Sequence, residues 1–273
     1  MNQFVRNLGL IDEDQQKRIE NASVLICGTG GMGGVCAEVL VRMGIGKIRL
    51  VDPDRFEESN LNRQIHSNRE TIGQYKVEVL QKQLLAIHPQ LKIQVWKEKV
   101  NAGNAPIFLS EVDYVVNGMD QLDASISLER EARRRKIPIV DAWLTPFASV
   151  FTMKSTDPHW EEFLNFPTFE KPEAEISPED RRVSLRREVD YTLSHSEPFK
   201  YIQKELVNDV IDGKKPRPSL APVVWLSGVL MANEVFKMIA GYPEVGPRGV
   251  FFDQYTHQLI PGKIKLKRSG GEG

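Results

Sequence analysis

The apolar run Ser23-Val24-Leu25-Ile26-Cys27 passes without a break into Gly28-Thr29-Gly30-Gly31-Met32-Gly33 and then into a helical pattern that ends at Met43. A buried strand, a turn too glycine-rich to carry bulky side chains and a helix that opens at once leave few folds available. Small residues let the helix approach the strand closely. They also leave the free N–H groups of the helix start, with their favourable dipole, facing whatever anion enters the turn. A second apolar run, Lys47–Val51, ends at Asp52, nineteen residues past Gly33 and placed to accept hydrogen bonds from a ribose. Together these features point to an adenosine-bearing ligand and leave the reaction open.

The rest of the chain fits that beginning. Strands are predicted at 23–27, 47–51, 92–96, 113–117 and 137–142, with helices at 33–43, 76–87 and 124–135 between them. This alternation builds successive βαβ units and an α/β fold, a doubly wound, mostly parallel Rossmann-like sheet. An N-terminal arm of residues 1–22 includes a short helix at 12–19, and a strand at 148–153 closes the nucleotide-binding domain, 23–153. Residues 154–218 are rich in proline and charge, so they are expected to be an insertion or crossover segment with one amphipathic helix around 201–210. Trp160, Phe163, Phe166 and Phe169 recur every three residues there and read as a local hydrophobic anchor. Residues 219–265 are expected to add a helix that begins after Pro222, is apolar nearly all round and stops at Gly241, followed by a hairpin of 250–252 with 258–260. The tail, 266–273, reads as disordered.

Charge and cysteine usage narrow the function classes. With 36 basic and 37 acidic residues among 273, no global field favours nucleic acid or an anionic membrane, so phosphate recognition has to be local. No apolar run is read as approaching the roughly 18 residues of a membrane span, and the polar start lacks a secretory stretch; the expected location is the cytoplasm. Cys27 and Cys36 fall on elements that should be buried, and the five histidines are scattered, which argues against a disulfide framework and a side-chain metal cage.

A hydride-transfer site shares the glycine turn and the acid, so discrimination comes from the residues after Asp52. Arg63 and Lys76 bring two cations to one mouth of the sheet. A triphosphate needs such screening before a carboxylate can attack its α-phosphorus, and an ionised carboxylate needs positioning more than a general base. Asp120, after the fourth strand, is placed to act on the Mg²⁺ side, through water or phosphate. Taken singly, it could equally cap the next helix.

In order and spacing, Gly28, Gly30, Gly31 and Gly33, Asp52 with Asp54, the stretch Ser59-Asn60-Leu61-Asn62-Arg63-Gln64, the turn Gly73 to Lys76, and Asp120 resemble the adenylation domain of the ubiquitin-activating superfamily in its ThiF/MoeB/HesA form. The resemblance is close over residues 1–153 and looser over 219–262. It implies an ATP- and Mg²⁺-dependent adenylyltransferase. Its substrate would be the C-terminal carboxylate of a small ubiquitin-fold or sulfur-carrier protein, or alternatively a ribosomal peptide. By the same resemblance Asp52 holds the ribose, while Asn60, Arg63 and Lys76 surround the phosphates. Arg6 resembles an N-terminal arginine that reaches into the partner's site of a homodimer.

The departures matter as much. Many relatives carry two CxxC pairs for structural zinc; this chain has Asp157-Pro158-His159-Trp160 and Pro216-Arg217-Pro218-Ser219 instead, so no zinc site is expected. Residues 37–273 contain no cysteine to serve as a nucleophile. The reaction is therefore expected to stop at the acyl-adenylate. Two other classes compete: an NAD-dependent oxidoreductase, disfavoured by Arg63 and Lys76, and a non-catalytic partner subunit, disfavoured because both cations and Asp120 are present.

Overall fold

The computed structural model describes residues 3–143 and 146–263. In chain order its elements are α1 (Glu13–Asn21), β1 (Ser23–Cys27), α2 (Gly31–Met43), β2 (Lys47–Val51), α3 (Lys76–Ile87), β3 (Lys92–Trp96), α4 (Ala105–Phe108), β4 (Tyr114–Asn117), α5 (Leu122–Arg134), β5 (Ile139–Asp141) and β6 (Ala148–Met153). Then come α6 (Trp160–Phe163), α7 (Pro178–Leu193), α8 (Lys204–Ile211), α9 (Ala221–Ala240), β7 (Val250–Asp253) and β8 (Gln258–Pro261).

One eight-stranded sheet runs in the order β3-β2-β1-β4-β5-β6-β7-β8. The first five strands are parallel, and β6, β7 and β8 extend the sheet antiparallel. Val24–Cys27 and Val115–Asn117 are buried on both faces, as strands sandwiched between helix layers require. The order reverses between β1 and β4. A crevice therefore opens at the carboxyl ends of those strands, which is where open α/β sheets hold ligands.

Each strand–helix step has a local cause. Asp12 caps α1 by accepting from the Gln15 N–H at 2.7 Å, and the Gln15 side chain answers to the Asp12 N–H, so the helix starts at Glu13. Gly44 and Gly241 stop α2 and α9 in the left-handed conformation that costs glycine least. α9 lies across α2 and β6, and at Gly228 an added Cβ would stand 2.6 Å from the Met32 carbonyl oxygen. Only glycine allows that crossing distance. The 20-residue α9 is long and apolar enough to span a bilayer, which corrects the expectation that no run approaches that length. Its Val224, Met231, Ala232 and Val235 sit in the core cluster with Leu40, Val41 and Val150, so its apolarity is accounted for by packing.

The segment 154–218 holds more order than its sequence pattern conveys. Besides α8 it contains the 16-residue α7, whose start is set by Ser177 accepting from the Asp180 N–H, with Pro178 at the first helical position. The aromatic stripe does anchor it: Trp160 and Phe166 are buried in the cluster with Trp143, Phe151 and Tyr191, and Phe163 packs against it. Buried Glu161 forks onto Arg130 at 2.8 Å through both oxygens and accepts from Thr168, tying the segment to α5. The predicted disordered tail lies outside the described residues.

Candidate active site

The carboxyl ends of β1 to β5 converge on one cavity of about 370 Å³. From β1 come Gly28, Gly30 and Gly31; from β2, Asp52 and Asp54; from beyond β3, Glu98 and Lys99; from β4, Gly118 and Asp120; from β5, Asp141 and Trp143. Arg63, Gln64 and Lys76 close one side, and Glu188 of α7 with Arg217 closes another.

The glycine turn is shaped by contact as well as by ligand access. Gly28 has φ +82°, and a Cβ there would lie 2.5 Å from the Gly118 carbonyl carbon, so the ends of β1 and β4 touch backbone to backbone. Gly33 is placed differently from the resemblance's expectation of a ligand contact: it does not line the cavity, and its added Cβ would be 1.9 Å from the Gly28 oxygen. Its job is to let α2 pack on the turn. No side chain caps α2, which leaves the first-turn N–H groups to a ligand.

Asp52 is 5% exposed and bonds the turn directly, its Oδ2 accepting from the Thr29 N–H at 2.7 Å and the Thr29 hydroxyl at 3.1 Å. Its Oδ1 accepts from the Asp54 N–H at 2.9 Å and keeps a lone pair for a further donor. Burial pushes the Asp52 carboxyl above the usual carboxylate range, while the nearby Lys76 charge and the two backbone donors pull the other way. Lys76 opens α3; its side chain is 8% exposed and its Nζ pairs with Asp54 Oδ2 at 2.8 Å. Arg63 is held by its own loop, donating at 2.8 Å to the Ser59 carbonyl and to Asn62 Oδ1. Trp225 of α9 donates to the Arg63 carbonyl at 2.8 Å and fixes that loop from below.

Asp120 lines the cavity, is exposed, and accepts no hydrogen bond among the described residues. It does not cap α5, whose N-cap position is Gln121, so the bland helix-cap reading fails. Asn60 and Arg6 are not brought into the cavity. Asn60 is buried in its own turn, accepting from the Glu57 N–H at 3.1 Å and donating to Ser59 Oγ, and Arg6 is exposed in the N-terminal turn 5–7.

Several lining residues escaped sequence reading. Gln64 sits inside the very stretch that carries the resemblance, and its side-chain oxygen is buried without a partner. Asp141 stands at the end of a predicted strand, where the open-sheet rule would have pointed. Burial, then the neighbouring Glu188 charge, pushes its carboxyl up to about 7, against hydrogen bonds from the Ala142 N–H and Asn117. Glu188 and Arg217 had no signal, since only folding of the 154–218 segment carries them to the sheet. Cys27 and Cys36 are fully buried, and burial pushes both thiols up, so neither is a ready thiolate.

The sequence model of the ThiF family matches residues 4–269. The tRNA threonylcarbamoyladenosine dehydratase of Bacillus subtilis (strain 168) is 28% identical over 244 residues, covering 86% of this chain and 93% of that protein. The sulfur carrier protein adenylyltransferase of Thermus thermophilus is 34% identical over 110 residues, 40% of this chain and 41% of its own. Among solved structures, Escherichia coli MccB with AMPCPP and MccA superposes with a TM-score of 0.71 at 19% identity, covering 99% of this chain and 74% of that one.

Proposed function

Because the chain belongs to the ThiF family, we propose that its cavity binds ATP with Mg²⁺ and adenylates a carboxylate, releasing pyrophosphate. The observation that carries this reading is the convergence, in one crevice, of an uncapped helix start, a buried ribose-type acid, two cations and an unpartnered acid. The helix start and the glycine turn hold phosphate oxygens, and Asp52 takes a ribose hydroxyl on its spare lone pair. Lys76 and Arg63 spread the charge that builds on the phosphates as the substrate carboxylate attacks. The donor chemistry of Asp120 suits Mg²⁺, which would supply further charge neutralisation at the phosphates when bound. A hydride-transfer enzyme has no use for both cations.

The substrate we favour is the C-terminal carboxylate of a small ubiquitin-fold protein or a peptide, in line with the sulfur carrier protein adenylyltransferase among its relatives and with a fold shared with MccB, seen with AMPCPP and MccA. A second reading draws on the Bacillus subtilis dehydratase, which aligns over nearly its whole length: the carboxylate would then belong to a modified tRNA nucleoside. Arg6 does not line this cavity, so the role proposed for it rests on a homodimer in which it meets the site of a second copy. The substrate test is mass detection of an adenylate on a ubiquitin-fold protein, a peptide or bulk tRNA incubated with ATP and Mg²⁺. Adduct on the free C-terminus and none on its amidated form supports the first reading; adduct on tRNA alone transfers support to the second.

A further inference from the structure

Among the described residues, the cations that line the cavity are Arg63, Lys76, Lys99 and Arg217. Two of them are built into the wall that holds the glycine turn. Lys76 is pinned to Asp54, the Asp54 N–H donates to Asp52, and Asp52 accepts in turn from the Thr29 N–H of the turn itself. The Arg63 guanidinium is held by its own loop, and the Arg63 carbonyl oxygen stands 3.3 Å from the position of the Cβ that Gly31 lacks. Lys99 is exposed on the loop after β3. Arg217 comes from elsewhere, the stretch between α8 and α9, and is half-buried.

The Arg217 guanidinium donates no hydrogen bond among the described residues. Its ion partner is Glu188 of α7, whose Oε1 stands 3.8 Å away, within reach of charge but beyond hydrogen-bond distance. A guanidinium that served only to neutralise a buried acid would close on it as a fork, as Arg130 does on Glu161 at 2.8 Å. Here the N–H donors stay open on a side chain that is 28% exposed in a cavity wall. The backbone that presents them is stiff. Pro216 and Pro218 each fix their own φ, and Pro218 also disfavours the helical region for Arg217. Two residues on, the Ser219 carbonyl accepts from Asn62 Nδ2 at 3.1 Å, and Asn62 Oδ1 is the acceptor that holds the Arg63 guanidinium. The Arg217 stretch is thereby fastened to the Arg63 loop.

A planar fork of donors fits a carboxylate through two parallel hydrogen bonds, and a permanent charge on a stiff backbone costs little to organise. The helix start, Lys76 and Arg63 are engaged by the nucleotide's own anions, so a carboxylate arriving beside them needs a separate partner. Resting on the adenylation reading above, we propose that Arg217 binds the carboxylate that is to be adenylated. Its grip ends with the reaction. One carboxylate oxygen bonds to the α-phosphorus, the bond from that phosphorus to the bridging oxygen breaks, and the electron pair leaves with pyrophosphate; the acyl group is then no longer an anion. An interaction stronger with the free acid than with the adenylate lowers KM for the acid and does little for turnover.

The probe is N-acetylglycine, a peptide-like end with one carboxylate and no amine, with its amide as the control. Each is titrated into the full chain loaded with AMPCPP and Mg²⁺ and followed by ligand-detected NMR. The acid should bind about tenfold or more tighter than the amide, the worth of one charge-assisted contact. Arg217→Gln should remove that preference and Arg217→Lys should keep part of it, with AMPCPP affinity held within about twofold in both. Acetyl-sulfamoyladenosine, a stable mimic of the adenylate without a free carboxylate, should bind the native chain and both variants alike. Phenylglyoxal labelling of the native chain gives a reading that needs no variant: with AMPCPP and Mg²⁺ bound, Arg217 should still be modified, and the acid, not the amide, should protect it. Equal binding of acid and amide, or no binding of either, to a chain that holds AMPCPP overturns the carboxylate role. Protection of Arg217 by AMPCPP alone, with weakened AMPCPP binding in Arg217→Gln, overturns it as well by giving the guanidinium to a phosphate. A native chain that binds neither AMPCPP nor acetyl-sulfamoyladenosine overturns the nucleotide reading beneath it.

Discussion

Lys76 and Arg63 bring the same charge to one cavity but are held in different ways, and the difference sets what their loss should do. Lys76 is enclosed and pinned to a half-exposed carboxylate, Asp54, whereas Arg63 hangs on its own loop's carbonyl. Neither supports the core, so Arg63→Ala and Lys76→Ala should each cut turnover by roughly 10²–10³-fold with a melting temperature near that of the native chain. Steady-state kinetics beside a thermal melt checks this; a cation variant with native turnover does not belong to the site. Asp141 makes a prediction about pH. Its folded carboxyl is pushed up to about 7 from an ordinary 3.8, so the folded state holds a proton that the unfolded state has already released. Stability is therefore lost through this group as pH rises from about 4 to 7. Asp141→Asn removes that loss, and the difference in melting temperature should move in the variant's favour by about 3–8 °C between pH 4.5 and pH 8. A difference that stays constant with pH would contradict the assignment. At this scale the sequence already grouped residues that the fold brings to one cavity, Gly28, Gly30, Gly31, Asp52, Arg63, Lys76 and Asp120, because their spacing follows the ends of the strands. Asn60 and Gly33 were grouped with them but do not line the cavity, since local contacts hold one in a turn and the other against the Gly28 oxygen.

The elements most visible in the sequence are those with a clean period. The strands β1 and β2 match their predicted bounds, and α9 was readable from its all-round apolar surface and its glycine stop. α7 was not. Its apolar positions, Val183, Leu185, Val189 and Tyr191, do not repeat every three to four residues, because the helix serves both the aromatic cluster, at Tyr191, and the cavity, at Leu185 and Glu188. The signal that could have found it is the start, Ser177-Pro178-Glu179-Asp180, a capping box around an N-terminal proline. Ser177→Ala should cost about 1 kcal/mol of stability, measured by denaturant melts. Glu161→Ala should cost more, about 2–3 kcal/mol, since it removes the buried carboxylate partner of Arg130 and leaves that side chain only the Thr168 and Lys171 carbonyls of the 154–218 segment. Equal, small effects of the two substitutions would mean that the segment is held by its aromatic cluster alone.

At the scale of the whole molecule, the eight-stranded sheet divides the labour. Five parallel strands and the loops that follow them line most of the crevice, and the 154–218 segment adds Leu185, Glu188 and Arg217 to its wall. The first part was written in recurring motifs and could be read; the second depends on long-range packing that no local pattern encodes, which is why Glu188 and Arg217 surfaced only in three dimensions. Both cysteines are buried in the core beside this machinery, so Cys27→Ser and Cys36→Ser should leave adenylation in place, and a variant that adenylates but fails to transfer would restore a nucleophile to the account. The central claim, ATP-driven formation of a reversible acyl-adenylate in this one crevice, is tested most directly by exchange of labelled pyrophosphate into ATP, with Mg²⁺ and the substrate identified by adduct formation. The account predicts substrate-dependent exchange that falls by roughly 10²-fold or more in Arg63→Ala. Folded protein that binds ATP and that substrate yet exchanges no label would contradict it.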